Sequence, residues 1–170
     1  MIFLKYTKSV SFTLLKAFFA ATCALNLRRQ QSLAWEMKVF LNTNPHCLQD
    51  TQYFRSICLQ MDAATNSTPE LIKYALKALD IIFKEGISYM KCGTKLYNLI
   101  PKDTVQLNMF SIADPRAKQI SAAVDKVNLA KGKGLVRFGI QGFEQSYKAR
   151  TEHLSPFFTT RIDQIIKIKN

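Results

Sequence analysis

The stretch from Pro69 to Glu85 constrains the fold more than any other part of this sequence. Its apolar residues recur every three or four positions and form one stripe on a helix: Leu71, Ile72, Ala75, Leu76, Leu79, Ile82 and Phe83. Ser67 or Thr68 can cap such a helix, Pro69 suits its first turn and Glu70 complements its dipole. Gly86 then suits the position just past its end. A helix with one apolar stripe must bury that stripe against a second layer.

The neighbouring segments supply that layer. Alternation of apolar and polar residues predicts strands over 34–42 and 53–61, and a third strand over 88–99. Gly93 inside the third strand indicates a bulge or a close approach by another group. Residues 14–31 are apolar first and basic last, which predicts a second helix, and residues 62–68 are predicted to be a polar loop. The order helix, strand, strand, helix, strand predicts an α+β domain over residues 1–100.

In this α+β domain we expect a small sheet with two helices on one face. The opposite face is then free, and we expect it to carry part of the positive charge. After Ile100 the composition changes, which predicts a linker over 101–115 and a small helical and strand tail over 116–170. In the tail we expect a helix over 116–130 and a short strand over Leu135–Ile140. The expected apolar positions of that helix are Ile120, Val124, Val127 and Leu129, and Gly132 and Gly134 follow it.

The charge balance narrows the class of partner. The chain has 24 Lys and Arg against 12 Asp and Glu, a net charge of +12. Such an excess favours a polyanionic partner, either nucleic acid or an anionic membrane surface. The apolar run from Phe12 to Leu27 is interrupted by Lys16 and is too short to span a membrane. A basic exported or membrane-associated protein is an alternative; we expect a cytoplasmic protein without a membrane partner.

The cysteines do not indicate a metal site. Cys23, Cys47, Cys58 and Cys92 contain no C-x-x-C pair, and the two histidines supply no zinc pattern. Free thiols in a reducing compartment are expected.

A short peptide in the linker has the character of a docking segment. Gln106-Leu107-Asn108-Met109-Phe110 combines an amide that can hydrogen-bond with three apolar side chains, and it lies between Pro101 and Pro115. Such a peptide suits a hydrophobic pocket on another protein.

Several stretches together resemble the C-terminal part of the UmuC-type Y-family translesion DNA polymerases, the catalytic subunits of bacterial DNA polymerase V. Residues 86–93, GISYMKCG, are similar to the family's G-x-x-Y-x-K-A-G strand. Residues 106–110 are similar to its Q-L-N-L-F clamp peptide, with Met for the second Leu. Residues 154–161, LSPFFTTR, are similar to its L-S-P-x-Y-T-T-R tail, and residues 39–45 to a strand and turn of the same domain.

The resemblance implies a little-finger domain, the module that grips DNA in Y-family polymerases, followed by a clamp-binding linker and a tail. The implied clamp-binding residues are Gln106, Leu107, Asn108, Met109 and Phe110. The candidate residues for non-specific DNA contact are Lys91, Lys95, Lys38 and Arg55. The tail motif comprises Leu154, Ser155, Pro156, Thr159, Thr160 and Arg161. The implied partners are DNA and the sliding clamp, with a UmuD-type subunit and a recombinase filament as further candidates, in DNA repair during the SOS response.

The family's palm, fingers and thumb should precede this region. Catalysis there needs acidic residues that hold metal ions, and the aspartates of this chain stand singly. We therefore expect no catalytic residues, no metal site and no enzyme activity in this chain; Mg²⁺ belongs to the intact polymerase. The alternative is a subunit whose catalytic core lies on another chain. Ser9-Val10-Ser11-Phe12 departs from the family's S-R-S-F start of the little finger, so its first strand is expected to be truncated.

Overall fold

A computed structural model of the chain describes residues 9–47, 49–104, 115–132 and 134–142. Its helices and strands follow the predicted order of helix, strand, strand, helix, strand, so the expected α+β fold is confirmed. The elements are α1 (Ser9–Arg29), β1 (Ser32–Thr43), β2 (Phe54–Thr65), α2 (Thr68–Ile82), β3 (Tyr89–Pro101), a 3-10 turn (Lys102–Thr104), α3 (Pro115–Lys131) and a second 3-10 turn (Gly139–Gln141).

The three strands form one antiparallel sheet in the order β2-β1-β3. The central strand β1 has its odd-numbered residues Met37, Val39 and Leu41 fully buried, while Lys38 and Phe40 between them are only half-buried. Successive side chains of a strand point to opposite faces, so this alternation separates a covered face from an open face.

Helices α1 and α2 cover the first of these faces and contact each other. The buried positions of α1 are small, with Ala17, Ala20 and Ala24 all at 0% exposure. Small side chains let the helix axis approach its neighbours closely, and the larger side chains of α2, among them Leu71 and Leu79, fill the space between the layers. The expected arrangement of two helices on one face of a small sheet is confirmed.

The α2 helix is shorter than predicted and β2 is longer. The predicted polar loop over 62–68 is wrong for residues 62–65, which continue β2, and α2 ends at Ile82 instead of Glu85. Two tyrosines explain the early end: Tyr53 Oη donates to Ile82 O at 2.7 Å, and Tyr89 Oη donates to Lys84 O at 3.0 Å. The first bond satisfies a carbonyl that the last turn of α2 leaves unpaired, and the second holds the chain just beyond the helix. Gly86, with φ of +80°, lies in the turn beyond.

The α3 helix, confirmed over almost the predicted range, docks on the rest of the domain through polar groups. Arg28 Nε and Nη2 donate to the two Asp125 carboxylate oxygens at 2.5 and 2.8 Å, and Arg28 Nη1 donates to Asn66 O and Thr68 Oγ1. Ser121, which is fully buried, accepts a hydrogen bond from the Thr68 backbone N–H at 3.2 Å. We call Arg28, Asp125, Thr68 and Ser121 the polar lock.

The polar lock also caps α2. The expected cap, Ser67, occupies the N-cap position, but its hydroxyl makes no capping bond. Ser121 accepts from the first turn of α2 instead. The apolar positions expected on α3 do not lie in this contact: Ile120 is 51% exposed and Leu129 is 81% exposed.

The predicted strand over Leu135–Ile140 is wrong. Residues 134–136 form a turn and bend, and residues 139–141 form a 3-10 turn. Asn128 explains the difference, because its side chain accepts from Val136 N at 2.9 Å and donates to Val136 O at 2.8 Å. The backbone groups of Val136 that a neighbouring strand would bind are therefore already paired. Phe138 packs against the core, and the 3-10 turn that follows it contacts α1.

Candidate nucleic-acid interface

The open face is the surface of the sheet that α1 and α2 leave uncovered. Cross-strand partners lie on the same face of a sheet, so the strand register gives its composition. Its rows, from β2 through β1 to β3, are Phe54–Asn42–Lys91, Ser56–Phe40–Gly93, Cys58–Lys38–Lys95 and Gln60–Glu36–Tyr97. Side chains within a row are about 5 Å apart at Cβ, and successive rows are about 7 Å apart.

Three of the four candidate DNA-contacting residues meet on this face. Lys38 and Lys95 are direct cross-strand partners, and Lys91 lies two rows from Lys95 along β3. None of the three forms a salt bridge with another described residue. Like charges placed directly opposite on a sheet repel each other. The open face therefore gains electrostatic stability when an anion lies across it.

Arg55, the fourth candidate, is not placed with the other three. It pairs with Leu41, which is fully buried on the covered side, so the register assigns Arg55 to the covered side as well. Its exposed position near the start of β2 keeps its charge in solvent. The sequence carried a signal for this, because alternation places Arg55 on the same face of β2 as the apolar residues Ile57 and Leu59.

Gly93 lies beneath an aromatic ring. A Cβ atom added to Gly93 would stand 2.4 Å from Phe40 Cζ and 2.5 Å from Phe40 Cε1. The sequence allowed either a bulge or a close approach at this glycine. The pairing of Gly93 with Phe40 is regular, so there is no bulge here and the close approach is confirmed. The absence of a side chain at Gly93 lets the Phe40 ring extend over β3 instead of standing away from the sheet.

The sequence analysis did not predict that aromatic residues share the open face with the lysines. Phe54 is 53% exposed and Tyr97 is 40% exposed, and both share this face with Phe40 and the lysines. The signal was present in β1, where Phe40 is the one aromatic residue on the otherwise polar side of the alternation.

Glu36 is the acidic residue within these rows, and its carboxylate is engaged. It accepts from Asn98 Nδ2 at 2.6 Å and from Cys58 Sγ at 3.6 Å. Desolvation raises the pKa of the Cys58 thiol, and the hydrogen bond and negative charge of Glu36 raise this pKa further. Lys38, in the same row as Cys58, acts on this pKa in the opposite direction. Asn98 has a φ of +51°, an uncommon backbone conformation for a residue other than glycine.

The other two predicted sites lie outside the described residues: the candidate clamp peptide, residues 106–110, and the tail motif, residues 154–161. The structure does describe what flanks the clamp peptide. The 3-10 turn before it is joined to the turn after α1 by a hydrogen bond from Lys102 N to Gln31 O at 2.9 Å. The helix after it, α3, is held by the polar lock. The described elements on either side of the clamp peptide therefore belong to the same folded body.

The described ranges contain no helix long and apolar enough to cross a membrane. They also contain no group of three or more His, Cys, Asp or Glu side chains arranged to hold a metal ion. No disulfide joins any two of the four cysteines, all of which lie in these ranges.

Two family models match the chain. Residues 14–109 match the impB/mucB/samB family C-terminal domain, and residues 118–168 match a domain of unknown function (DUF4113). The first match contains α1, the sheet and α2, and the second contains most of α3. The polar lock therefore joins the two matched regions, with Arg28 in the first and Asp125 in the second.

Curated relatives agree with the family match. The chain is 31% identical over 153 residues to Protein UmuC of Salmonella typhimurium, an alignment that covers 89% of this chain and 36% of that protein. It is 34% identical over 144 residues to Protein MucB of Salmonella typhimurium and of Escherichia coli, covering 84% of this chain and 34% of each. The chain spans about a third of the length of these relatives. It belongs to the impB/mucB/samB family, which includes UmuC, and corresponds to the C-terminal region of that family.

Proposed function

We propose that this chain is a DNA-holding and clamp-docking region of a Y-family translesion polymerase system that acts in DNA repair during the SOS response. Its role is to keep the protein on DNA and at the sliding clamp, and the chain carries no polymerase activity of its own. The observation that carries the DNA-binding part is the convergence of Lys38, Lys91 and Lys95 on the open face of a family little-finger fold.

The electrostatics of the open face favour a phosphate backbone as the ligand. Lys38 and Lys95 are adjacent across the strands, and the nearby Glu36 carboxylate is already occupied by Asn98 and Cys58. Lysine ammonium groups contact phosphates as point charges and do not read base sequence. Binding through them is expected to be non-specific and to weaken steeply as salt concentration rises.

The test compares two triple variants of equal charge. Lys38→Ala/Lys91→Ala/Lys95→Ala removes the cluster, whereas Lys73→Ala/Lys77→Ala/Lys126→Ala removes three exposed lysines of α2 and α3. DNA affinity is measured by fluorescence anisotropy at several salt concentrations. Loss of three phosphate contacts should lower the slope of log affinity against log salt by about three, since each lysine contributes about one. Equal slopes for the two variants would contradict the proposal.

The clamp-docking part rests on residues 106–110 and on their attachment. The described elements that flank residues 105–114 belong to one folded body, held by Lys102 on one side and by the polar lock on the other. Anchored ends reduce the conformational entropy that a docking peptide loses on binding. Leu107, Met109 and Phe110 supply the apolar anchors that would enter pockets on the clamp.

Titration of a purified bacterial sliding clamp tests this part separately. Replacing Leu107, Met109 and Phe110 with alanine should weaken clamp affinity by tenfold or more, because anchor residues dominate such interfaces. Ile112→Ala, in the same linker but outside the peptide, is the matched control and should leave the affinity unchanged. Retained affinity in the triple variant would refute clamp docking through this peptide and would leave the DNA-binding proposal intact.

A further inference from the structure

We infer that the open face binds single-stranded DNA in preference to duplex, with unpaired bases stacking on Phe54, Phe40 and Tyr97 while Lys38, Lys91 and Lys95 contact phosphates. This inference rests on the proposed DNA binding and specifies its substrate. Phosphate contacts alone would leave the aromatic side chains of this face without a function.

The aromatic residues lie on a diagonal across the sheet. Phe54 is on β2 in the first row, Phe40 is on β1 in the second and Tyr97 is on β3 in the fourth. The strand and row spacings place the two ends of this diagonal about 20 Å apart along the strands and about 10 Å apart across them. That length accommodates several unpaired nucleotides.

The rings are accessible. More than half of Phe54 and 40% of Tyr97 are exposed, although large apolar side chains are usually buried. Phe40 lies over Gly93 in the space that a side chain there would occupy. Phe40 itself is half-buried, so the two more exposed rings carry most of the surface on which bases can stack.

The lysines favour a nucleic acid strand over an apolar protein surface as the ligand of this face. Each aromatic residue has a lysine within two rows of it: Lys91 shares the row of Phe54, and Lys38 and Lys95 lie between Phe40 and Tyr97. An apolar partner would have to cover unpaired ammonium groups, which is unfavourable. A single strand supplies both components, because its bases stack and its phosphates neutralise the charge. A duplex offers this surface chiefly its phosphates, since its bases are stacked inside.

The experiment measures the affinity of the full chain for three probes of equal length: a thymine oligonucleotide, the same strand with abasic sites, and a duplex. We expect tighter binding to the thymine strand than to either the abasic strand or the duplex. Phe54→Leu/Tyr97→Leu keeps the apolar bulk and removes the rings, and it should weaken thymine-strand binding by about tenfold or more. Affinity for the abasic strand and for the duplex should be unchanged.

Four outcomes overturn the inference. They are a wild-type affinity for the duplex that equals or exceeds its affinity for the thymine strand, an equal affinity of the wild type for the thymine and abasic strands, an unchanged thymine affinity in the leucine variant, and an equal loss for all three probes. Sedimentation of the leucine variant gives a further outcome. If the wild type is a dimer, the variant is a monomer and thymine binding is unchanged, the rings serve self-association instead. If the wild-type chain binds none of the probes, the proposed DNA binding itself fails.

Discussion

The two faces of the sheet are built from the same strands and differ in almost every physical respect. Met37 is fully buried beneath the helices, whereas Lys38, the next residue, lies on the open face beside Lys95. On one face the side chains are apolar and close-packed, and on the other they combine charge with accessible aromatic rings. Alternation along a strand therefore lets one short segment serve stability and binding separately, so each can be disrupted without the other.

The strongest test of this separation substitutes the neighbours Met37 and Lys38 individually. Met37→Ala should lower the free energy of unfolding by about 2–5 kcal/mol, because it leaves a cavity in the core. Lys38→Ala should change that free energy by less than about 0.5 kcal/mol, as is usual for a surface position, while lowering DNA affinity. Urea denaturation and anisotropy titration provide the two readouts. A DNA-binding defect in Met37→Ala under conditions where it is folded would show that the faces are not independent.

The polar lock should have the next largest effect. Arg28→Ala leaves the Asp125 carboxylate and the Asn66 carbonyl without this donor, and we expect a loss of about 1–3 kcal/mol in stability. Hydrogen exchange in α3 should accelerate, since α3 is held through this contact. The charge-reversed pair Arg28→Asp/Asp125→Arg is the control and should recover part of the protection. Unchanged exchange in Arg28→Ala would show that α3 is held by other contacts.

An effect of similar size is expected from filling the space under Phe40. Gly93→Ala places a methyl group within 2.5 Å of the present ring position, so the ring must move, at an expected loss of about 1–3 kcal/mol from overpacking. The same substitution in a Phe40→Leu background should be less destabilising, and a double-mutant cycle measures the difference. Additive effects would mean that the ring does not occupy this space in solution.

The smallest predicted effect concerns the Cys58 thiol. Glu36 raises its pKa by disfavouring the thiolate, so Glu36→Gln should lower that pKa. Below the pKa, a lower pKa means more thiolate and faster alkylation, with the difference fading at high pH where both proteins are fully ionised. The rate of alkylation as a function of pH, in a variant with Cys58 as the only cysteine, measures this shift. Identical pH profiles would show that Glu36 does not act on Cys58.

Local signals in the sequence predicted much of the covered face but less of the open face. The stripe of α2 and the alternation of β1 are short-range patterns, and both elements were predicted within a few residues. The face of Arg55 followed from its alternation with Ile57 and Leu59, whereas the capping of α2 by Ser121 depends on a contact between distant segments. The turn around Val136 also differed from the prediction, because the Asn128 side chain competes with strand pairing. Lys91 and Lys95 could be assigned to one face from their spacing, but their meeting with Lys38 required the strand order.

The central claim, that the open face is the surface that meets DNA, can be tested directly by photocrosslinking from single cysteines. Cys58 lies in the row of Lys38 and Lys95 and is exposed, so it carries the photoreactive group in a protein whose other cysteines are alanine. The matched protein carries the group at Lys77→Cys, exposed on α2 on the opposite side, with Cys58 also replaced by alanine. We predict efficient crosslinking to DNA from position 58 and little from position 77. Equal yields, or a higher yield from position 77, would contradict the account.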